Sequence, residues 1–242
     1  MYLHVLILLF FSRLLLAQPT VLAKNITANI ANVTSTSFLG TKPGCQRKCG
    51  NLSVPYPFSI GAACSFDLPF VINCSNSEPF IGNVVVLSIS PTQVRVQNEV
   101  ASMCYNKTGA VTNDSGLALT SLTLPFDWPY TFSDTANKLT VVGCDDLGEL
   151  WADSQDAGIL VSACGSIFSN STDMTGANCP GIGCCQTDIP KGLKTYNVSL
   201  SSFYNHTQVL SKDKCGYAFV GEQDSFHYSN LQIFRTPISG TE

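Results

Sequence analysis

Eleven cysteines downstream of an apolar N-terminal run constrain this chain more than any other feature: Cys45, Cys49, Cys64, Cys74, Cys104, Cys144, Cys164, Cys179, Cys184, Cys185 and Cys215. The run itself reads "MYLHVLILLFFSRLLLAQPTVLA", almost wholly apolar from Leu3 to Leu16 apart from Arg13, with Ala17 and Ala23 as small residues near a cleavage point. It is too short to span a bilayer, and residues 1–20 read as a secretory signal peptide that is removed. Cysteines exported to an oxidising compartment read as disulfides. Zinc is the rival reading of Cys45-x3-Cys49. Zinc sites draw on further Cys or His ligands at defined spacing, however, and only His206 and His227 follow the leader.

Nine Asn-x-Ser/Thr sequons point to the same compartment, at Asn25, Asn32, Asn51, Asn73, Asn106, Asn113, Asn170, Asn197 and Asn205. Glycans need solvent, so these asparagines mark expected surface. Residues 21–44, which contain "KNITANIANVTSTSFLGTKPG", hold two sequons and no cysteine and read as a glycosylated leader to the folded part.

From Cys45 onward, short apolar runs are broken by Gly, Pro, Asn and Asp. In "QVRVQNEV", Val94 and Val96 alternate with polar residues, and in "TYNVSLSSF", Tyr196, Val198 and Leu200 do the same with Asn197 on the opposite face. This period of two predicts half-buried strands. "LPFVINC", "FIGNVVVLSIS", "LALTSLTLP", "KLTVVGC", "GILVSAC", "GYAFV" and "FHYSNLQIF" are further strand candidates, and a short helix is expected around Leu147 to Asp153. The expected fold class is mainly β: disulfide-rich secreted β-sheet modules with few short helices. "GAVTNDSG", residues 109–116, has no strong apolar pattern and marks an expected boundary between a cysteine-rich module at 45–110 and a second β-rich region at 115–236.

Catalytic patterns are sparse. Two histidines give a Ser–His–Asp or Cys–His arrangement little to work with, and no Gly-x-Ser-x-Gly elbow occurs. The glycines of "CPGIGCC" lack the strand–loop–helix context of a phosphate loop. The enzyme reading that remains is a glycosidase using two of Asp145, Asp146 and Glu149 near Trp151. We read the chain as a non-enzyme that needs no cofactor.

Without Arg13, 12 basic residues face 17 acidic ones, which speaks against nucleic acid and requires any polyanion affinity to be local. A local patch exists in "PGCQRKCGNLSVPYPFSIG", residues 43–61, where Arg47 and Lys48 lie between two cysteines with Lys42 just before. Pro55 and Pro57 stiffen the following stretch, which presents Tyr56 and Phe58 either outward beside the cations or inward as core. For Phe58 the core is the expectation.

The stretch "CQRKCGNLSVPYPFSIGAACSFDLPFVINC" resembles the galacturonan-binding module at the extracellular N-terminus of plant wall-associated receptor kinases. "FSDTANKLTVVGCDDL", "CPGIGCCQTDIPKGL" and "CGYAFV" look like the following part of the same ectodomain, so the resemblance covers residues 45 to about 230. It implies an extracellular protein that binds an acidic cell-wall polysaccharide, de-esterified homogalacturonan. On charge, the expected contacts are Arg47 and Lys48, then Lys42 and Arg95, with Tyr56 as the aromatic contact and Lys191, Lys194, Lys212 and Lys214 as secondary candidates. A calcium-bridged mode would instead use Asp145 and Asp146. Two departures stand out. No EGF-like repeats, membrane span or kinase follow Glu242 in this sequence, so the alternative role is a kinase-less ectodomain that pairs or competes with related receptors. The family's Gly-Cys-x-Ser-x-Cys pair is "ACGSIF" here, with Cys164 at the first cysteine and Phe168 in place of the second. The cysteine lacking a partner is therefore expected among Cys164, Cys179, Cys184 and Cys185.

Overall fold

Short apolar runs between turn-forming residues become short strands. The computed structural model describes residues 2–9, 43–152, 158–167, 179, 181–209 and 214–223, and within them are seventeen strands. The first eight are β1 (Tyr2–Leu9), β2 (Lys48–Cys49), β3 (Leu52–Ser53), β4 (Ser59–Ile60), β5 (Val71–Ser75), β6 (Glu78–Ile81), β7 (Val84–Ile89) and β8 (Gln93–Glu99). Next come β9 (Ala101–Cys104), β10 (Leu119–Thr123), β11 (Tyr130–Phe132), β12 (Asn137–Val142) and β13 (Asp145–Ala152). The last four are β14 (Ile159–Ile167), β15 (Cys184–Asp188), β16 (Thr195–Ser202) and β17 (Cys215–Glu222). A single 3-10 turn at Leu68–Phe70 begins where the Asp67 carboxylate accepts from the Leu68 amide at 2.8 Å and Pro69 removes a donor.

Three sheets carry the fold. The largest has the order β11-β1-β8-β7-β6-β5-β4, and two four-stranded sheets run β10-β16-β13-β14 and β15-β12-β17-β9. The mainly β, disulfide-bonded class expected from the sequence is what forms, and "FIGNVVVLSIS" and "QVRVQNEV" are antiparallel neighbours. "FHYSNLQIF" lies outside the described residues. The segment expected to be removed contributes β1, which pairs with β8 from Tyr2 opposite Glu99 to Leu8 opposite Gln93.

The helix expected around Leu147–Asp153 is instead the strand β13, bonded on one side to β14 and on the other to β16. Its inward positions are Asp146, Gly148 and Leu150, two of them not apolar, so the period of two is invisible to a hydrophobicity reading. Gly148 is required by proximity: a Cβ there would lie 2.3 Å from Cγ2 of Val141.

β17 is buried along nearly its whole length because it serves two clusters. Ala218 and Val220 join the main core, while Tyr217 and Phe219 pack with Val100, Val142 and Cys184. The main core runs from Val54 and Phe58 through Val94, Val96, Phe132 and Tyr196 to Val220, taking residues from both sides of the 109–116 boundary. Asn98 stitches its centre, donating to the Tyr196 hydroxyl at 2.8 Å and to the Val220 carbonyl at 3.0 Å. Burial raises the pKa of the Tyr196 phenol well above its ordinary value, with the Asn98 hydrogen bond opposing, and burial alone does the same to Tyr130.

Five disulfides form: Cys45–Cys64, Cys49–Cys74, Cys104–Cys215, Cys164–Cys185 and Cys179–Cys184. Cys45 and Cys49 turn to different partners, so they make no joint clasp. The expectation that the odd cysteine belongs to the group 164, 179, 184 and 185 is corrected, since all four are bridged. The cysteine outside the five bridges is Cys144, buried against Val209. Among the described residues no helix is long and apolar enough to cross a membrane.

Candidate functional site

The basic loop forms the hairpin β2–β3, turning at Gly50 and Asn51. Its strands are two residues each, too short to hold by ladder bonds alone, and two bridges do that work: Cys45 reaches Cys64, and Cys49 reaches Cys74 in β5. Gly50 adopts φ +54°, and a Cβ on it would lie 2.2 Å from the Ser77 carbonyl, so only glycine fits there. The Val54 amide donates to the Arg47 carbonyl at 2.9 Å, and the Gln46 side chain donates to the Lys48 carbonyl at 2.7 Å. The backbone under the two cations is thereby fixed, while their side chains stand in solvent.

An aromatic ladder lies beside the hairpin. Phe58 is 1% exposed, as residue type predicts, while Tyr56 is 43% exposed. Phe66 meets Tyr56 edge-on with centroids 6.2 Å apart and Phe70 edge-on at 5.8 Å; Phe70 in turn meets Phe58 at 5.3 Å. The rings therefore step from surface to core, and the outer pair is anchored by the inner one. The ladder begins next to the Cys45–Cys64 bridge, since Phe66 follows Cys64 by two residues and its amide donates to the Pro57 carbonyl at 3.1 Å. Tyr56, Phe66 and Leu68, the last 70% exposed, leave apolar surface open in the stretch that follows the hairpin. Phe66 and Leu68 are not among the expected contacts, and Leu68 opens the run "LPFVINC", expected as a strand. The Asp67–Pro69 turn signal was the available clue that the run changes direction there.

Other expected contacts lie elsewhere. Arg95, on β8, places Nε 2.7 Å from Oε1 of the buried Glu222. Lys194 donates to the carbonyls of Phe126 and Trp128 and lies 5.4 Å from the Phe126 ring centroid. Lys191 and Lys214 are exposed, and Lys42 and Lys212 lie outside the described residues. Among the described residues the ion pairs are Arg95–Glu222 and Lys138–Asp188, with His206 against Asp146 a third contact of that kind only if the imidazole is protonated, and none involves Arg47 or Lys48.

The carboxylates proposed for glycoside chemistry are structural. Asp145 Oδ2 accepts from the Ser202 hydroxyl at 2.7 Å and from the amides of Tyr204 and His206 at 2.9 Å each. Asp146, on the other face of β13, lies 2.9 Å from Nε2 of His206, and both side chains are fully buried. The Tyr105 ring stacks on His206 with centroids 4.7 Å apart. Glu149 is occupied with the Ser199 hydroxyl. The sequon asparagines within the described residues, Asn51, Asn73, Asn106, Asn113, Asn197 and Asn205, are exposed or half-buried; Asn25, Asn32 and Asn170 fall outside them.

A family described as wall-associated receptor kinase galacturonan-binding matches residues 45–98, the stretch that holds the hairpin and the aromatic ladder. Over 192 residues the chain is 33% identical to wall-associated receptor kinase 2 of Arabidopsis thaliana, covering 78% of this chain and 25% of that protein. The chain is related to the wall-associated receptor kinases. Wall-associated receptor kinase 1 of the same plant is 31% identical over 200 residues, covering 79% of this chain and 26% of the relative. The chain thus spans about a quarter of the length of the curated relatives it matches. No solved structure matches it.

Proposed function

We propose that the protein is a secreted, non-enzymatic binder of de-esterified homogalacturonan in the cell wall, with Arg47 and Lys48 at the centre of its site. The observation that supports this reading is two exposed cations on a twice-bridged hairpin, followed in the chain by the exposed Tyr56, Phe66 and Leu68. Galacturonan repeats one carboxylate per sugar along an otherwise hydroxylated ring. Arginine meets a carboxylate with a two-pronged donor pair and lysine with a point charge, while aromatic rings stack on the C–H faces of the sugar. Lys42, three residues before Cys45, extends the same positive stretch. Arg95 is left out of the proposed contact, because its Nε is engaged by Glu222. Residues 1–20 act as the leader that takes the chain out of the cell, and β1 belongs to the unprocessed chain.

The test is calorimetric binding of the secreted protein to oligogalacturonides across a salt series, with and without calcium. Two solvent-exposed charge contacts contribute about 0.5–1 kcal/mol each, so Arg47→Ala/Lys48→Ala is expected to weaken binding about tenfold at low salt. Arg95→Ala is expected to leave it unchanged. Binding that needs calcium and ignores the hairpin variant moves the site to carboxylates. Absence of binding to any oligogalacturonide overturns the reading and leaves pairing with related receptors as the role to test.

A further inference from the structure

The outer face of the sheet β10-β16-β13-β14 carries apolar side chains in the open. By register, Leu119, Ser199 and Glu149 form one row across the strands, and Asn197, Trp151 and Leu160 form the next. Their chain neighbours Tyr196, Val198, Leu200 and Leu150 are buried, which puts both rows on the solvent side. Leu119 is 56% exposed and Leu160 46%. At the centre is Asn197, the first residue of the sequon Asn197-Val198-Ser199, directly opposite Trp151 on the neighbouring strand.

The Trp151 indole is held in place. Its Nε1 donates to the Ser199 hydroxyl at 3.2 Å, and that hydroxyl donates to Oε2 of Glu149 at 3.2 Å. On the β14 side the backbone at Gly158 backs the ring, since a Cβ there would lie 3.7 Å from Cε3 of the indole. On the other side, across the strand pair, is Asn197. Directly opposed residues on one sheet face have Cβ atoms about 4.5–5.5 Å apart. The first sugar on the Asn197 side chain falls within reach of the indole at that spacing.

We propose that an N-linked glycan on Asn197 covers this face, with its first N-acetylglucosamine stacked on Trp151. The inference rests on the secretory route proposed above. The chemistry needs no redox partner. The Asn197 amide nitrogen bonds to the anomeric carbon of a lipid-pyrophosphate-linked oligosaccharide, the bond from that carbon to the pyrophosphate oxygen breaks, the lipid pyrophosphate leaves, and the amide gives up one proton. The sugar's C–H face then lies on the ring, and its hydroxyls meet Glu149 and Ser121 or water. A glycan rooted in the middle of the face excludes a protein partner from it, and it gives Leu119 and Leu160 cover that the other described residues do not supply.

The test combines glycopeptide mass spectrometry of the secreted protein with a double-mutant cycle in melting temperature. Asn197 is expected to be occupied. Asn197→Gln is expected to lower the Tm by about 2–4 °C through this contact, and by less than half as much in a Trp151→Ala background. A second readout avoids the tryptophan deletion. In a Trp128→Phe protein, where Trp151 is the remaining tryptophan, Asn197→Gln is expected to increase iodide quenching of its fluorescence. The inference fails if Asn197 is bare while other sequons carry glycans. It also fails if Asn197 is occupied but the two substitutions are additive and quenching does not change. If every sequon is bare, the secretory reading falls along with it.

Discussion

The carboxylate of Asp145 holds the segment after β16 in place, and its removal has a calculable cost. Three donors converge on Oδ2: the Ser202 hydroxyl at 2.7 Å and the Tyr204 and His206 amides at 2.9 Å. A hydrogen bond to a charged acceptor contributes about 1.5–3 kcal/mol net, and a buried donor left without an acceptor costs a further ~1–3 kcal/mol. The His206 amide retains the Ser202 hydroxyl at 3.3 Å as a second acceptor, so the loss in Asp145→Ala falls mainly on Tyr204 and Ser202. The expected destabilisation is therefore about 3–5 kcal/mol, which lowers the melting temperature of a domain this size by roughly 10 °C. Asp145→Asn keeps the volume and one acceptor oxygen but removes the charge, and is expected to cost about 1–2 kcal/mol. Urea unfolding read by tryptophan fluorescence measures both, with an unchanged m-value as the sign that only stability moved. Amide exchange at Tyr204 and His206 should accelerate in the alanine variant before global unfolding does. If both variants stay within about 1 kcal/mol of the parent, the segment is held by something other than this carboxylate. If asparagine is as damaging as alanine, charge is not the operative property.

Two further outcomes follow from the bridges and the buried phenols. Cys104–Cys215 joins residues 111 apart and Cys179–Cys184 residues 5 apart, so loop-closure entropy gives about 5 kcal/mol for the first and about 2 for the second. Thermal melts of the paired Cys→Ser variants should rank in that order, and equal losses would show that strain or residual structure outweighs chain entropy. The buried phenols of Tyr130 and Tyr196 have folded pKa values raised above the unfolded value near 10, so their contribution is whole below pH ~10 and is lost as pH rises above it. Each should steepen the alkaline loss of stability by about 1.4 kcal/mol per pH unit. Tyr196→Phe should be slightly less stable at pH 7, where Asn98 loses a partner, yet lose stability more slowly above pH 10. An unchanged alkaline slope would refute the assignment.

The sheet content was legible because most strands bury one face. Tyr196, Val198 and Leu200 alternate with polar neighbours, and the structure buries them and leaves the alternates facing out. β13 was illegible for the opposite reason: its inward residues include a carboxylate that pairs with a histidine 60 positions away, and a glycine that admits Val141. No local pattern encodes partners so distant. The basic hairpin was visible from its cysteine spacing and charge. The use of Arg95 was not, because Glu222 lies 127 residues further on. The odd cysteine was misplaced for a related reason. Chain neighbours such as Cys184 and Cys185 turn to opposite sides of their strand, so one reaches Cys179 and the other Cys164.

The two bridges at the hairpin also set a mechanical limit. If the proposed site holds, a polymer gripped at Arg47 and Lys48 would pull on strands of two residues each, whose ladder bonds would shear under a small load. Tension entering there passes instead through sulfur–sulfur bonds into β5 and into the turn before Phe66. Thiol reductants should therefore weaken the grip of the hairpin on a stretched polymer well before they lower its affinity for a short, slack oligomer.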